Sequence, residues 1–473
     1  MRKERLHTAT KRSWIEYNGF CAQEKVSGKA TAASAGKSGV LVAERCFGCD
    51  SFGGELKRGI GVKAWALEDG NAVVWDAVND PPKQFFLLRQ VVNGDEVCVP
   101  AYLSKQGVCF IYSEQEEAFA AYMSCGERGV AAAVLVRDGE EAREKTVLFA
   151  SEKLYVLEGN MISFVETEKM ECGEVLRGRV FAYVAPRTLL YSAPNEPLSL
   201  GIRSDVDGSG RLFLPTDRGQ AVALQAFENK LYIFFERGIS RLTVGGSAKE
   251  FVIENVEYGG GKIVGSTVGA FGKQVVFMAE DGLYFFDGAK AERKFLSLNI
   301  QPSGAETYSK AVADGKFLLG FVDGEGAKTA VLYPDGENGY VTSEIVGLSS
   351  WENVTFCYAN GRICEVCSGD EATALDDTDG VYAFISREVF FARGKRTLLR
   401  GLELEGDGAC DVTVWRDGGF EENSAVKKRK IFVTFTNGKA CARVMMRGEK
   451  FRFLIEPKTG GVLRRMRVET EIL

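Results

Sequence analysis

The chain has one histidine, His7, so its means for acid–base or metal chemistry are few. A Ser-His-Asp or Cys-His nucleophile system would have to use that residue. A catalytic metal site built on two or three histidines has no ligands to draw on. Two Cys-x-x-Cys pairs occur, Cys46 with Cys49 and Cys364 with Cys367. Four thiolates at that spacing are a zinc-binding set. The second pair, however, stands in an apolar run that reads as a strand, where positions three apart face opposite sides. Buried, reduced thiols are the reading that fits better. With 65 acidic residues no carboxylate pair stands out as a glycosidase dyad. Asp205-Val-Asp-Gly-Ser-Gly210 has the start of a calcium loop, but its twelfth position is Thr216, where a bidentate Glu belongs. Gly259-Gly-Gly-Lys262 lacks the phosphate-loop spacing, and Ile263-Val-Gly begins a strand, so no helix N-terminus faces the glycines. Lys427-Lys-Arg-Lys430 is a basic run that reads as a solvated loop or as a contact for an acidic neighbour or nucleic acid. The sequence thus assigns no catalytic, cofactor-binding or metal residue. We expect a protein that is not an enzyme and has no cofactor.

The elements that would position any site are strands, and they recur. Arg187-Thr-Leu-Leu-Tyr, Lys230-Leu-Tyr-Ile-Phe, Lys273-Gln-Val-Val-Phe, Lys316-Phe-Leu-Leu-Gly and Arg362-Ile-Cys-Glu-Val are each a basic residue followed by a short apolar run. The steps between their starts are 43, 43, 43 and 46 residues, with weaker echoes at Lys63, Lys105 and Lys153. A period near 40–45 residues with several strands per unit is a β-propeller signature. Asp-Gly turns at Glu280-Asp-Gly282, Phe286-Asp-Gly288, Val322-Asp-Gly324 and Pro334-Asp-Gly336 separate apolar runs as hairpin turns do. The spacing predicts about six or seven blades. Only Ser113 to Ala121 looks helical, as a helix or a loop insertion.

At 473 residues, 45% hydrophobic and 26% charged, the chain is long enough for a large core. No run reaches the roughly 18 apolar residues of a membrane span. The start, Met1-Arg-Lys-Glu-Arg-Leu-His7, has no apolar stretch of a secretory signal, and the 12 cysteines read as thiols rather than disulfides. The net charge of −6 is uneven: residues 387–473 carry a net +7, residues 1–50 a net +4, and 51–386 a net −17. An acidic body between basic ends does not present a broad phosphate-binding face, and it permits acidic-to-basic docking between subunits.

Three domains are expected. Residues 1–52 form an extended arm with Trp14, Tyr17 and Phe20 as its anchors, or as part of a first strand. Residues 53–380 form the propeller, ending near the acidic, turn-rich Gly369–Gly380. Residues 381–473 hold seven candidate strands in an antiparallel β-sandwich or barrel.

Gly178-Arg-Val-Phe-Ala-Tyr with Leu190-Tyr-Ser-Ala-Pro-Asn-Glu-Pro, then Ala226-Phe-Glu-Asn-Lys-Leu-Tyr-Ile-Phe-Phe-Glu-Arg-Gly-Ile-Ser-Arg-Leu, then Gly265-Ser-Thr-Val with Val276-Phe-Met-Ala-Glu-Asp-Gly-Leu-Tyr-Phe-Phe-Asp-Gly288 resemble consecutive blades of phage tail proteins. The C-terminal Arg447-Gly-Glu-Lys-Phe-Arg-Phe-Leu-Ile and Leu463-Arg-Arg-Met-Arg-Val-Glu are similar to the end of such proteins. The family is the tail hub or nozzle proteins of tailed bacteriophages, including the packaged-DNA stabilisation proteins. The resemblance implies a virion structural protein, assembled in the host cytoplasm as a ring of its own copies, commonly a hexamer, below the portal and its adaptor. Such a ring extends the portal channel, retains packaged DNA and opens for ejection. An acidic channel wall would repel DNA during passage. No functional residue is carried over. The other function classes open to the chain are an intracellular propeller scaffold for protein interactions and a carbohydrate-active propeller.

Overall fold

The computed structural model describes residues 12–21, 38–64, 82–92, 95–113, 116, 118–126, 129–138, 141–158, 161–201, 208–294, 309–323, 326–336, 338–343, 345–351, 354–359, 362–370, 382–392, 394–416 and 428–473. His7, Asp205 to Asp207 and Lys427 lie outside them. The described residues are strands joined by turns and three single-turn 3₁₀ segments, with no α-helix. The chain divides into two units, Val62–Glu337 with Glu344–Val366, and Met1–Gly61 with Asn338–Ser343 and Cys367–Leu473.

The first unit is a β-propeller of seven blades. Blades one to five are four-stranded sheets in simple sequence order, spanning Pro82–Ser124, Val130–Glu166, Met170–Phe213, Ala221–Val256 and Ile263–Lys294. Blade six contributes Ser309–Ala313, Lys316–Asp323 and Gly326–Leu332. Blade seven combines Val346–Trp351, Val354–Ala359 and Arg362–Ser368 with Ile60–Ala64, a strand from nearly 300 residues earlier in the sequence. The first strand of each blade neighbours the first strand of the next, and the first strand of blade seven, Val346–Trp351, lies beside Pro82–Val92 of blade one. That sequence of contacts closes a ring, so the first strands are innermost.

The second and third strands of a blade are covered on both faces, which explains their uninterrupted apolar runs. Arg179–Val184 and Gly282–Phe286 are buried at every position. Lys230–Phe235 and Gln274–Ala279 are buried after a half-buried first residue. Faces of adjacent blades share cores. Between blades four and five, Phe234 meets Phe277 edge to face at 5.4 Å and Tyr232 meets Phe286 at 5.0 Å. Each ring buried this way is worth about 2–3 kcal/mol of transfer free energy. Phe85, Phe86, Leu148, Phe356 and Ile363 lie in one core, which joins blades seven, one and two.

Two-residue turns connect first to second strands, with positive φ at both residues of Arg177-Gly178, Glu228-Asn229 and Asp314-Gly315. This is the primed-turn geometry that matches strand twist. The 43-residue repeat does not mark one fixed strand of the blade. Lys230, Lys273 and Lys316 stand at the start of second strands, whereas Arg187, Arg362, Lys105 and Lys153 stand at or just before third strands and Lys63 in a fourth. Second strands begin at residues 95, 141, 179, 230, 274, 316 and 354, so the true blade spacing is less even. Ser113–Ala121 is not helical. Val108–Ser113 and Ala118–Ser124 are paired strands, with Tyr112 opposite Phe119 and their rings 5.3 Å apart. Pairing of aromatic side chains across the ladder outweighs the helix propensity of the alanines.

The second unit contains all seven strands expected after residue 381, from Ala383–Ser386 to Val462–Ile472. It also contains the N-terminal segment expected as an arm. Arg12–Cys21 pairs antiparallel with Val462–Ile472, Trp14 opposite Glu469 and Tyr17 opposite Met466. Ser38–Phe47 pairs parallel with Arg12–Cys21 through its first half and antiparallel with Ala383–Ser386 through its second. It thereby links two ladders around one core. Ile15, Tyr17 and Phe20 are buried in that core with Leu402, Val412, Phe453 and Val468, while Trp14 is exposed. Alternation places Ile15 and Tyr17 on one face, and the register shift between Tyr17 and Phe20 lets Phe20 join the same core.

Arg179 is the largest fully buried side chain of the propeller, and among the described residues it has no carboxylate partner. Its guanidinium donates to the carbonyls of Ser192, at 2.9 Å, Gly246, at 2.7 Å, and Gly208, and lies over the Phe251 ring at 5.4 Å. Ser192 Oγ accepts the Val180 N–H and Ser199 Oγ accepts the Ala193 N–H, which ties the Tyr191-Ser-Ala-Pro turn to the same strand. The Gly-Arg and Tyr-Ser-Ala-Pro stretches of the sequence are thus two halves of one clamp. We predict that Arg179→Met lowers stability by on the order of 3 kcal/mol, because three carbonyls, that of Ser192 buried, lose a charged donor. Arg179→Lys should restore less than half, since an ammonium cannot reproduce the fork. Urea unfolding midpoints of the three proteins measure this, and equal midpoints for Arg179→Met and wild type would refute the clamp.

A candidate functional site at the ring centre

The innermost strands have no neighbour on the axial side, so their edge N–H and C=O groups need partners there. Side chains from adjacent blades provide them. Gln84 of blade one donates to the Ala131 carbonyl at 2.8 Å and accepts the Ala131 N–H at 2.9 Å, joining blade two. Ser350 of blade seven accepts the Val312 N–H at 2.8 Å and donates to its carbonyl at 3.1 Å, and Thr355 donates to the same carbonyl at 2.7 Å, joining blade six. Ser349 accepts the Phe85 N–H at 2.6 Å, across the closing junction of the ring. Where no such bridge is found, backbones and rings approach directly. A Cβ at Gly173 would run into the Phe149 ring and one at Gly265 into the Val222 carbonyl.

Between blades three and four the bridging group is a carboxylate. Glu174 accepts the Ala226 N–H at 3.2 Å, the Val175 N–H at 2.8 Å and the Gln225 side-chain amide at 3.4 Å. Its electrostatic partner is Lys310, on the first strand of blade six. Blades three and six are not neighbours, so the two charges act on each other at a distance rather than as an ion pair. The lysine stem runs beside blade five, its Cδ 3.2 Å from where a Cβ on Gly269 would stand. Both side chains are partly reached by solvent yet enclosed by the seven blades. Enclosure pushes the Glu174 carboxyl above its ordinary range, against the lowering effect of the two backbone N–H groups and Lys310. It pulls Lys310 down to about 8, against the raising effect of Glu174. The ring centre therefore holds an opposite-charge pair in which burial favours the neutral form of each partner. Sequence reading did not single out Glu174, Gln225 or Lys310. Their significance comes from meeting across about 136 residues, and no local spacing signals that.

The residues the sequence did single out are dispersed. Cys46 lies in Ser38–Phe47, while Cys49, Cys364 and Cys367 are buried. Cys49 belongs to one unit and Cys364 to the other. Among the described residues no group of three or more His, Cys, Asp or Glu is placed to hold a metal ion. Gly259-Gly-Gly-Lys262 is a turn held by carboxylates: the Gly261 N–H donates to Asp281 at 3.0 Å, the Lys262 N–H to Glu280 at 3.3 Å, and Lys262 Nζ lies 2.9 Å from Glu236. Negative groups occupy the donors a phosphate would need. Gly208 of the calcium-like loop offers its carbonyl to Arg179. In the basic run, Lys430 is 2.7 Å from the buried Asp411 and Arg429 donates to the Val444 carbonyl at 2.7 Å.

The central pair predicts a pH signature. Lys310 has a depressed folded pKa, so its contribution to stability is present above the unfolded value near 10.5 and is lost as pH falls through about 8. Stability should therefore rise from pH 8 to pH 10 through this residue. Glu174 has a raised folded pKa, so its contribution is present below the unfolded value of 4.5 and is lost as pH rises through the folded one. In Lys310→Met the alkaline rise should disappear relative to wild type. Glu174→Gln should keep it and shift it to lower pH, because the carboxylate no longer supports the ammonium. Urea midpoints at pH 7, 8, 9 and 10 read both effects, and parallel curves for Lys310→Met and wild type would exclude them.

No family model matches the chain, and no curated protein does. Solved structures similar to it include the WD40 repeats of RRP9, at 10% identity over 65% of this chain and 99% of that one, TM-score 0.40. BBS1N from its complex with ARL6DN is similar at 9% identity over 65% and 96%, TM-score 0.41. The computationally designed Ika8 protein is similar at 11% identity over 62% and 98%, TM-score 0.34. The β-propeller assignment stands on the closed ring of first strands and the four-stranded sheets.

Proposed function

We propose that this protein is a non-catalytic interaction platform, a closed seven-bladed ring that holds other macromolecules on its surface. One observation carries the reading. The polar groups at the ring centre are engaged with one another and with blade backbones. Gln84, Ser350, Thr355 and Glu174 each hydrogen-bond to an adjacent blade, and Lys310 is electrostatically coupled to Glu174. A reaction centre keeps a nucleophile, base or anion-binding donor free for substrate. Here those groups stabilise the ring, and what the ring offers a partner is surface.

A more specific second reading is the ring-forming hub or nozzle of a phage tail. The three stretches that resemble such proteins form blades three, four and five in succession, and the C-terminal stretch forms Phe451–Pro457 and Val462–Ile472. In that reading the chain assembles with its own copies and with portal or adaptor proteins, in the virion, and DNA passes through the assembly. A carbohydrate-active propeller is the third class.

Native mass spectrometry and negative-stain microscopy of the full chain, isolated with whatever remains bound to it, separate these readings. The platform reading expects complexes of fixed stoichiometry, and the hub reading expects closed rings of this chain. A free monomer that hydrolyses a glycan panel, with the activity lost on substituting an Asp or Glu, would overturn both.

A further inference from the structure

Charge is scarce on the innermost strands. Those of blades four, five and seven, Ala221–Phe227, Ile263–Phe271 and Val346–Trp351, carry none. Ser309–Ala313 of blade six carries Lys310 alone. Small residues on the innermost strands, Ala133, Ser266, Ala270 and Ser350, are exposed. The faces of the blades are packed against one another, so this exposure is toward the axis, and solvent enters there. Ser350 meets the axial edge of the Lys310 strand itself, at Val312. Lys310 thus stands where a small molecule reaches it from the ring centre.

Among the described residues Lys310 makes no hydrogen bond and no ion pair, and its coupling to Glu174 acts at a distance. Gly269 of blade five leaves a slot for the stem: a Cβ there would stand 3.2 Å from Lys310 Cδ and 3.0 Å from the Phe317 ring. The flanking first strands of blades five and seven bring no titratable group to it. On the second strand of its own blade, Lys316 is engaged by Asp314 at 2.6 Å. An enclosed ammonium without a partner is disfavoured against the neutral amine, and burial pulls Lys310 down to about 8. At pH 7 roughly a tenth of this amine is neutral, against about one part in three thousand for a lysine at the ordinary 10.5.

We propose that Lys310 is a reversible covalent attachment site for small neutral aldehydes that enter the ring centre. The nitrogen lone pair adds to the carbonyl carbon and the carbonyl π electrons move to oxygen. That oxygen then leaves as water with both amine protons, and a C=N bond remains: R–NH2 + O=CHR′ gives R–N=CHR′ + H2O, with nothing oxidised or reduced. Enclosure selects the reagent. A charged one would have to shed water among uncharged strands, whereas a small aldehyde brings no charge and releases no anion. Among the described residues no acid or base lies within hydrogen-bond reach of the nitrogen, so the site attaches a carbonyl compound without turning it over. Attachment removes the one cation that balances Glu174. The inference goes beyond the platform reading and does not depend on it.

The test treats the full-length chain with acetaldehyde and sodium cyanoborohydride, which reduces the C=N bond to a stable secondary amine. Peptide mass spectrometry then follows each lysine over time. At pH 7 Lys310 should be alkylated roughly tenfold or more faster than the exposed Lys249 and Lys273. The ratio should fall as pH rises toward 10, where lysine amines in general become neutral. In urea-unfolded chain the three should react alike. Glu174→Gln, with its urea midpoint measured to confirm folding, should speed Lys310 several-fold at pH 7, because no carboxylate then supports the ammonium. Three results would each overturn the proposal: Lys310 no faster than Lys249 and Lys273 in the native chain, an advantage that persists in urea, or a slower Lys310 in folded Glu174→Gln. The native and unfolded wild-type comparison needs no variant, so it decides the matter even where Glu174→Gln does not fold.

Discussion

The structure of the propeller depends on how its innermost strands satisfy their axial edges. Seven strands that converge on one axis leave seven rows of backbone donors and acceptors without a ladder partner. The chain meets this with side chains of matched reach: an amide at Gln84, hydroxyls at Ser350 and Thr355, a carboxylate at Glu174. At Gly173 and Gly265, removal of a side chain lets ring or backbone come close. Choosing a carboxylate at one junction leaves a negative charge near the axis, and Lys310 answers it from the far side. The pair costs desolvation on both partners, which is the reason each is held toward its neutral form.

Charge is handled differently in the other unit. Several of the basic residues after residue 387 are ion-paired. Arg465 lies 3.1 Å from Glu16 and 3.4 Å from Glu405, Arg467 lies 3.3 Å from Glu16 and 3.5 Å from Glu403, and Arg464 lies 3.0 Å from Glu55. These alternate along Val462–Ile472 with core residues Leu463, Met466 and Val468, so one face of the strand builds the core and the other an ion-pair ladder. Single exposed pairs of this kind contribute at most about 1 kcal/mol. Their arrangement across three strands fixes register instead, and it ties Glu16 and Glu55 from the start of the chain to arginines at its end.

The basic residue that opens each repeated apolar run has a physical explanation, though not a single one. At Lys230 and Lys316 it begins a second strand whose next residues, 231–235 and 317–321, are buried, so the charge must sit at the turn. At Lys153 and Arg187 it begins or precedes a third strand and lies over an exposed phenylalanine of the fourth. Similar spacing at two different strand positions produced a period more regular than the blades themselves.

The sequence alone determined the all-β class, the propeller and the seven C-terminal strands, because alternating or continuous apolar runs between Asp-Gly and Asn-containing turns are local signals. It also showed that histidine-based chemistry is scarce. Tertiary structure decided the rest. Closure of blade seven by Ile60–Ala64, the place of Arg12–Cys21 beside Val462–Ile472, and the bridge from Glu174 to Ala226 all join residues tens to hundreds of positions apart. Sequence spacing carries strand identity, whereas partners at such separations are chosen by which apolar faces and unpaired edges remain to be covered once the strands have formed.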